Sequence, residues 1–266
     1  DGIRDIGVTG VQTCALPISF NSGVSFKLLD GEKGFFDSDQ IIQAINPKNF
    51  YHSPMTKLVS LENTTNKGGG YCWDISEFEK IQKVCKENDL GLHMDGARIW
   101  NSIIAMNNDP KIYGNFFDTI SVCLSKGLGC PIGSVLVGKG KVMEKAIRVR
   151  KILGGGMRQV GYLVAAGLYA LQNNINRLSD DHRRAKEIAK KFSSKDIVNK
   201  INSVETNIII IELNKSVNKQ QIINHFTNHN VIFDWYSMGV QKIRIVTHLD
   251  YTEKDHGALM EIVDKL

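Results

Sequence analysis

The chain has 266 residues, with 33 lysines and arginines against 28 aspartates and glutamates, a formal charge of +5. Hydrophobic residues at 42% and charged residues at 23% give enough apolar content for one large core or two modest ones, and they exclude a disordered chain. No apolar run approaches the length of a membrane span, and the basic excess is spread along the chain, not gathered into the stripe that nucleic-acid binding needs, so neither a membrane nor a nucleic acid is expected as a partner.

Residues 1–19, DGIRDIGVTGVQTCALPIS, differ in character from the rest of the chain. They show no helical or strand period, and Asp1 and Asp5 stand where a signal peptide would be basic. The string GVTGVQTCALPI resembles the translation of a sequencing adapter, and the expectation is a protein proper that begins near Phe20.

From Phe20 onward, short apolar strands alternate with amphipathic helices, the pattern of an α/β protein with a largely parallel sheet. Leu58–Leu61 reads as a buried strand. After Gly68-Gly69-Gly70, Asp74 caps a helix with Glu77 three residues on, and Phe78, Ile81, Val84 and Cys85 form its apolar stripe. Leu90–Met94 is the next strand, stopping at Asp95; a helix follows near 97–105. Thr119–Leu124 is a strand that stops short of Lys126, and strand and helix patterns follow over 133–137 and 141–151. Two helices lie between Val160 and Phe192. Beyond them a smaller α+β unit has strands over 207–212 and 242–246 and helices over 217–228 and 252–266. The expected division is 20–172 for a large domain and 173–266 for a small one.

The five cysteines (14, 72, 85, 123 and 130) make no C-x-x-C pair, which points to reduced thiols and a cytoplasmic protein. His225 and His229 lie one helical turn apart without a third ligand near, so no metal site is expected.

Two residues carry the chemistry. Asp95 ends one strand, in Asp95-Gly96-Ala97-Arg98, and Lys126 ends the next, in Ser125-Lys126-Gly127-Leu128-Gly129. Ligands of open parallel sheets bind outside the carboxyl ends of the strands, so an acid and an amine would face one crevice. Each alone has a plainer reading, as a helix cap or a surface turn. Together they suggest pyridoxal phosphate (PLP): a lysine that forms a Schiff base with the aldehyde and a carboxylate that pairs with the protonated ring nitrogen. Arg98, three residues past Asp95, reaches the same crevice.

From Phe20 on, the chain resembles the L-threonine aldolase family, PLP enzymes of fold type I with the aspartate aminotransferase architecture. The resemblance rests on five strings in order: Leu61-Glu62-Asn63-Thr64, His93–Arg98, Cys123–Gly129, Gly154–Gln159 and Arg244–Asp250. It implies that Lys126 is the Schiff-base lysine and Asp95 the partner of the ring nitrogen. Arg98 would lie beside the ring's phenolic oxygen and the substrate carboxylate, which Arg244 of the small domain would hold. Arg158 would reach the cofactor phosphate of a neighbouring subunit, assisted by Lys151, and His52 would sit near the substrate hydroxyl and take its proton. The implied reaction is cleavage of L-threonine or L-allo-threonine to glycine and acetaldehyde in a dimer or tetramer. The alternatives are another fold type I activity, such as β-elimination or transamination, and a non-catalytic remnant of the fold.

Two departures accompany the resemblance. Thr65 stands where the family has a histidine, which implies altered loop packing or substrate preference. The family's N-terminal portion, with its phosphate-cradling loop and ring-stacking histidine, has no counterpart, so an exposed sheet edge, exposed apolar faces and poor PLP binding are expected.

Overall fold

The computed structural model describes residues 18–266 apart from Tyr236; residues 1–17, with Cys14 and most of the adapter-like stretch, lie outside the described residues. The chain builds two sheets. In the first, β1 (Leu58–Glu62), β2 (Gly91–Gly96) and β3 (Thr119–Cys123) run parallel in that spatial order, and β4 (Ser134–Gly138) closes antiparallel on β3. Helix α1 (Ser38–Ala44) precedes this sheet, α2 (Ile75–Glu87) crosses from β1 to β2, and α3 (Ile99–Met106) with α4 (Pro110–Phe116) crosses from β2 to β3.

The side-chain oxygen of Asp74 accepts the Ser76 N–H at 2.8 Å and starts α2. The expected stripe is buried throughout, Phe78 and Ile81 fully, against Leu61, Leu92 and Met94 of the sheet. Each such side chain stabilises the layer by roughly 1.5–3 kcal/mol. Trp73, just ahead of the helix, donates its indole N–H to the Glu62 carbonyl at 2.9 Å and fixes the end of β1.

The edge of this sheet is bare. All five residues of β4 are exposed, with Val135, Leu136 and Val137 at 47, 40 and 51% of full accessibility. Helix α5 (Gly140–Ile152) has no buried residue, and α6 (Gly161–Asn173) buries only Gly167 and Ala170.

The second sheet is antiparallel, with β6 (Ile208–Leu213) between β5 (Val198–Ile201) and β7 (Lys242–Val246). Helices α7 (Leu178–Ser193), α8 (Lys219–Asn228) and α9 (Glu253–Asp264) complete its core. Successive strand residues point to opposite faces, which explains the run of four isoleucines. Ile209 and Ile211 enter the core with Phe192, Phe226 and Val263. Ile208 and Ile210 face the glycine run that follows β1. A methyl group on Gly70 (φ +79°) would stand 2.6 Å from Thr206 Oγ1 and 3.1 Å from Ile208 Cβ, so only glycine lets the two sheets meet here. The contact is sealed by Thr206 Oγ1 donating to the Gly70 carbonyl at 2.6 Å and by the Cys72 N–H donating to Glu205 Oε2 at 2.8 Å. Among the described residues, no helix is long and apolar enough to cross a membrane.

Candidate active site

The parallel order of β1, β2 and β3 brings their carboxyl ends to one side. Glu62 pairs in register with Asp95, and Asp95 with Ser121; Lys126 follows three residues after the end of β3. One oxygen of Asp95, Oδ1, accepts the Ala97 N–H at 3.0 Å, which turns the chain so that Arg98 stands at the start of α3. The Lys126 amine donates to Cys123 Sγ at 3.2 Å.

The turn after Lys126 is held from outside its own strand. Gly129 N–H returns to the Lys126 carbonyl at 2.9 Å. The connection between α6 and α7 supplies Asn174 Nδ2 to the Leu128 carbonyl at 2.7 Å and Arg177 Nη1 to the Gly127 carbonyl at 3.4 Å. Arg177 is itself ion-paired with the fully buried Asp181. On the other side of the turn, Leu249 packs against Gly129.

Arg98, Ser125, Lys126, Gly127 and Gly129 line a cavity of about 350 Å³ together with Asn207, Val246 and His248 of the second sheet. Arg244, half-buried on β7, donates from Nη2 to Asn66 Oδ1 at 2.7 Å and stands 3.7 Å from the Asp234 carboxylate. Arg98 is lowered from the ordinary arginine range by burial and by the Arg244 charge, while Glu62, Cys123 and Asp95 act the other way. Burial also lowers Arg244, opposed by Asp234 and Glu62.

Glu62 ties the group together. Burial pushes its carboxyl up to about 7; the Asn66 N–H lowers it, Asp95 raises it, and Arg98 and Lys126 lower it. The charges of Asp95, Arg98 and Lys126 therefore all reach one buried carboxyl, and those of Arg98 and Arg244 reach each other. An acid and an amine at adjacent strand ends, with two guanidiniums beside them, suit an aromatic aldehyde cofactor and an amino acid with a free carboxylate. The fit covers the ring and amine end of PLP.

Of the expected residues, Arg98 and Lys126 line this cavity, whereas Asp95, Arg244, His52, Arg158 and Lys151 are not among its lining. His52 is not at the cavity: it occupies an exposed turn six residues ahead of Leu58, leading into the amino end of β1, and packs on Tyr51 and Phe50 at ring separations of 3.9 and 5.4 Å. Within this chain it thus lies toward the amino end of β1, whereas Lys126 and Asp95 lie toward the carboxyl ends of their strands. Arg158 and Lys151 are exposed on the 151–158 segment and do not line the cavity. Thr65 is buried, and its hydroxyl has no hydrogen-bond partner. Glu62 and Asn66 are members of the site that sequence reasoning passed over. A carboxylate at the end of a parallel strand was the available signal for Glu62, the same one that singled out Asp95.

The profile of the beta-eliminating lyase family matches residues 9–216. The chain belongs to that family. It is similar to the low-specificity L-threonine aldolase 1 of Arabidopsis thaliana, at 38% identity over 243 residues, covering 90% of this chain and 67% of the relative. It is also similar to the low specificity L-threonine aldolase of Escherichia coli K12, at 36% identity over 223 residues, covering 83% and 63%. The chain thus spans about two thirds of the length of these curated relatives. Among solved structures, it is similar to a threonine aldolase of Leishmania major, with a TM-score of 0.79 and 18% identity over 98% of this chain and 75% of the other. A histidinol-phosphate aminotransferase of Clostridium acetobutylicum has a TM-score of 0.64 and 16% identity over 93% and 72%. The fold is that of the type I PLP enzymes, and the beta-eliminating lyase family to which the chain belongs is one of PLP-dependent lyases.

Proposed function

We propose that the protein cleaves L-threonine or L-allo-threonine to glycine and acetaldehyde. The observation that carries this reading is that Arg98 and Lys126 line one cavity just beyond the strand pair in which Asp95 stands in register with Glu62. The relatives named as threonine aldolases support the choice among fold type I reactions.

Bound PLP supplies an electron sink for the pair left on Cα when the Cα–Cβ bond breaks. Lys126 provides the amine that holds the cofactor aldehyde, on a turn stiffened by Asn174 and Arg177. Asp95 keeps the proton on the ring nitrogen. Arg244 holds the substrate carboxylate through its planar fork, with Arg98 adding positive charge from the first sheet. We keep Arg158, with Lys151, as a ligand of the phosphate in a neighbouring subunit; its exposure away from its own cavity supports a homo-oligomer with shared sites. The free cysteines 72, 85, 123 and 130 support a cytoplasmic location.

The test is product analysis of the full-length, PLP-loaded enzyme with each threonine diastereomer. Glycine and acetaldehyde in equal amounts are expected, and none after Lys126→Ala. A keto acid or ammonia as the main product would overturn the reading in favour of transamination or elimination.

A further inference from the structure

Arg244 comes from the second sheet, yet its shortest polar contact is with the first. The Arg244 Nη2–Asn66 Oδ1 bond of 2.7 Å joins residues 178 positions apart in sequence. Asn66 is itself fixed, because its backbone N–H donates to Glu62 Oε2 at 2.8 Å, and Glu62 is the β1 residue paired in register with Asp95. A continuous chain of contacts therefore runs from the strand pair that presents Asp95, through the turn after β1, to the guanidinium on β7. The Asp234 carboxylate forms an ion pair with Nη1 at 3.7 Å, and the shorter, directional contact on the fork is the one from Asn66.

We propose that Asn66 is a positioning residue for the substrate carboxylate: it aims the Arg244 guanidinium at the Lys126 crevice, and Glu62 holds Asn66 in place. The inference rests on the reading of Arg244 as the carboxylate ligand. An amide suits the task better than a carboxylate would. It accepts one N–H and so fixes the plane of the fork without neutralising the charge the substrate needs. The side chain of Arg244 is 14% exposed, so water offers little replacement for the lost partner.

The test uses the full-length, PLP-loaded enzyme, with glycine as a carboxylate-bearing probe and methylamine as one without. Loss of a hydrogen bond to a charged group predicts that Asn66→Ala weakens glycine about tenfold, while methylamine affinity stays within about threefold. Asn66→Asp keeps the acceptor but adds a competing charge, so it weakens glycine at least as much while the cofactor-free protein keeps its melting temperature. In an Arg244→Ala background, Asn66→Ala has no further effect on glycine. Unchanged glycine affinity in Asn66→Ala, equal weakening of both probes, or restored glycine affinity in Asn66→Asp would each overturn the proposal. Should Asn66→Ala fail to fold, Asn66→Ser, whose hydroxyl falls short of Arg244, takes its place with the same outcomes. If Arg244→Ala alone leaves glycine affinity intact, the carboxylate reading of Arg244 fails first. If it weakens glycine while Asn66→Ala does not, the positioning role alone fails.

Discussion

Glu62 and Asp95 occupy the same rung of the parallel ladder between β1 and β2, two carboxylates side by side near the carboxyl ends of their strands. Their proximity adds to burial in raising Glu62 to about 7. A carboxyl that holds its proton more tightly when folded stabilises the fold most below its unfolded value, near 4.5, and that contribution is lost as pH rises through 7. The loss amounts to about 3 kcal/mol. Urea unfolding between pH 5 and pH 8 is expected to show this decline, and Glu62→Gln is expected to flatten it. An unchanged slope in that variant would mean that Glu62 is already charged in the folded protein at pH 5.

Asp95 and His52 separate two accounts of the site. On the proposed reading, Asp95→Ala removes the partner of the ring nitrogen and is expected to lower turnover by about a hundredfold or more, the scale on which single electrostatic catalytic groups act. His52→Ala, in an exposed turn by the amino end of β1, is expected to leave turnover within about twofold. Steady-state assay of the two variants side by side checks this, and a large loss in His52→Ala would restore it to the chemistry.

His182 predicts the opposite pH behaviour at another place. It is buried between α3 and α7, where Asn101 Nδ2 lies 3.1 Å from its Nε2, and burial followed by the Lys186 charge lowers its pKa to about 4. The unfolded chain takes up a proton that the folded one refuses, so stability is full above about 6.5 and falls towards pH 4, by about 3 kcal/mol in all. Because this window overlaps that of Glu62 with the reverse sign, the comparison must be made variant against parent. His182→Gln, which keeps an acceptor for Asn101, is expected to be less sensitive to acid, measured by unfolding at pH 4.5 and pH 6.5.

The bare edge of the first sheet predicts self-association of this chain. An exposed strand carrying Val135, Leu136 and Val137 offers unpaired backbone and apolar side chains at once. Light scattering is expected to show growth of aggregates with concentration, reduced when Leu136 is replaced by lysine. A monodisperse parent chain at high concentration would contradict this.

Much of the architecture was legible because the core patterns are strong. The Phe78–Cys85 stripe and the four isoleucines of β6 announce burial directly. Helices α1 and α4, at seven residues each, are too short for their period to show, and β5 has four residues of which Asn199 and Lys200 are exposed. The places of Asp95 near the end of β2, and of Arg98 and Lys126 beyond the strand ends, were readable from the strand patterns. Arg244 came from its motif, but its contact with Asn66 depends on a meeting of two sheets that no local pattern encodes. For His52, a motif match does not say which end of a strand a preceding loop occupies.

The clamp on the 126–129 turn by Asn174 and Arg177 gives the joint between α6 and α7 a mechanical part in the site. The turn that carries Lys126 is moored by two side chains rooted in a distant connector. A protease nick between residues 174 and 177 would leave the crevice walls standing while unmooring the amine, and the expected symptom is a cofactor that leaks away from an otherwise folded protein.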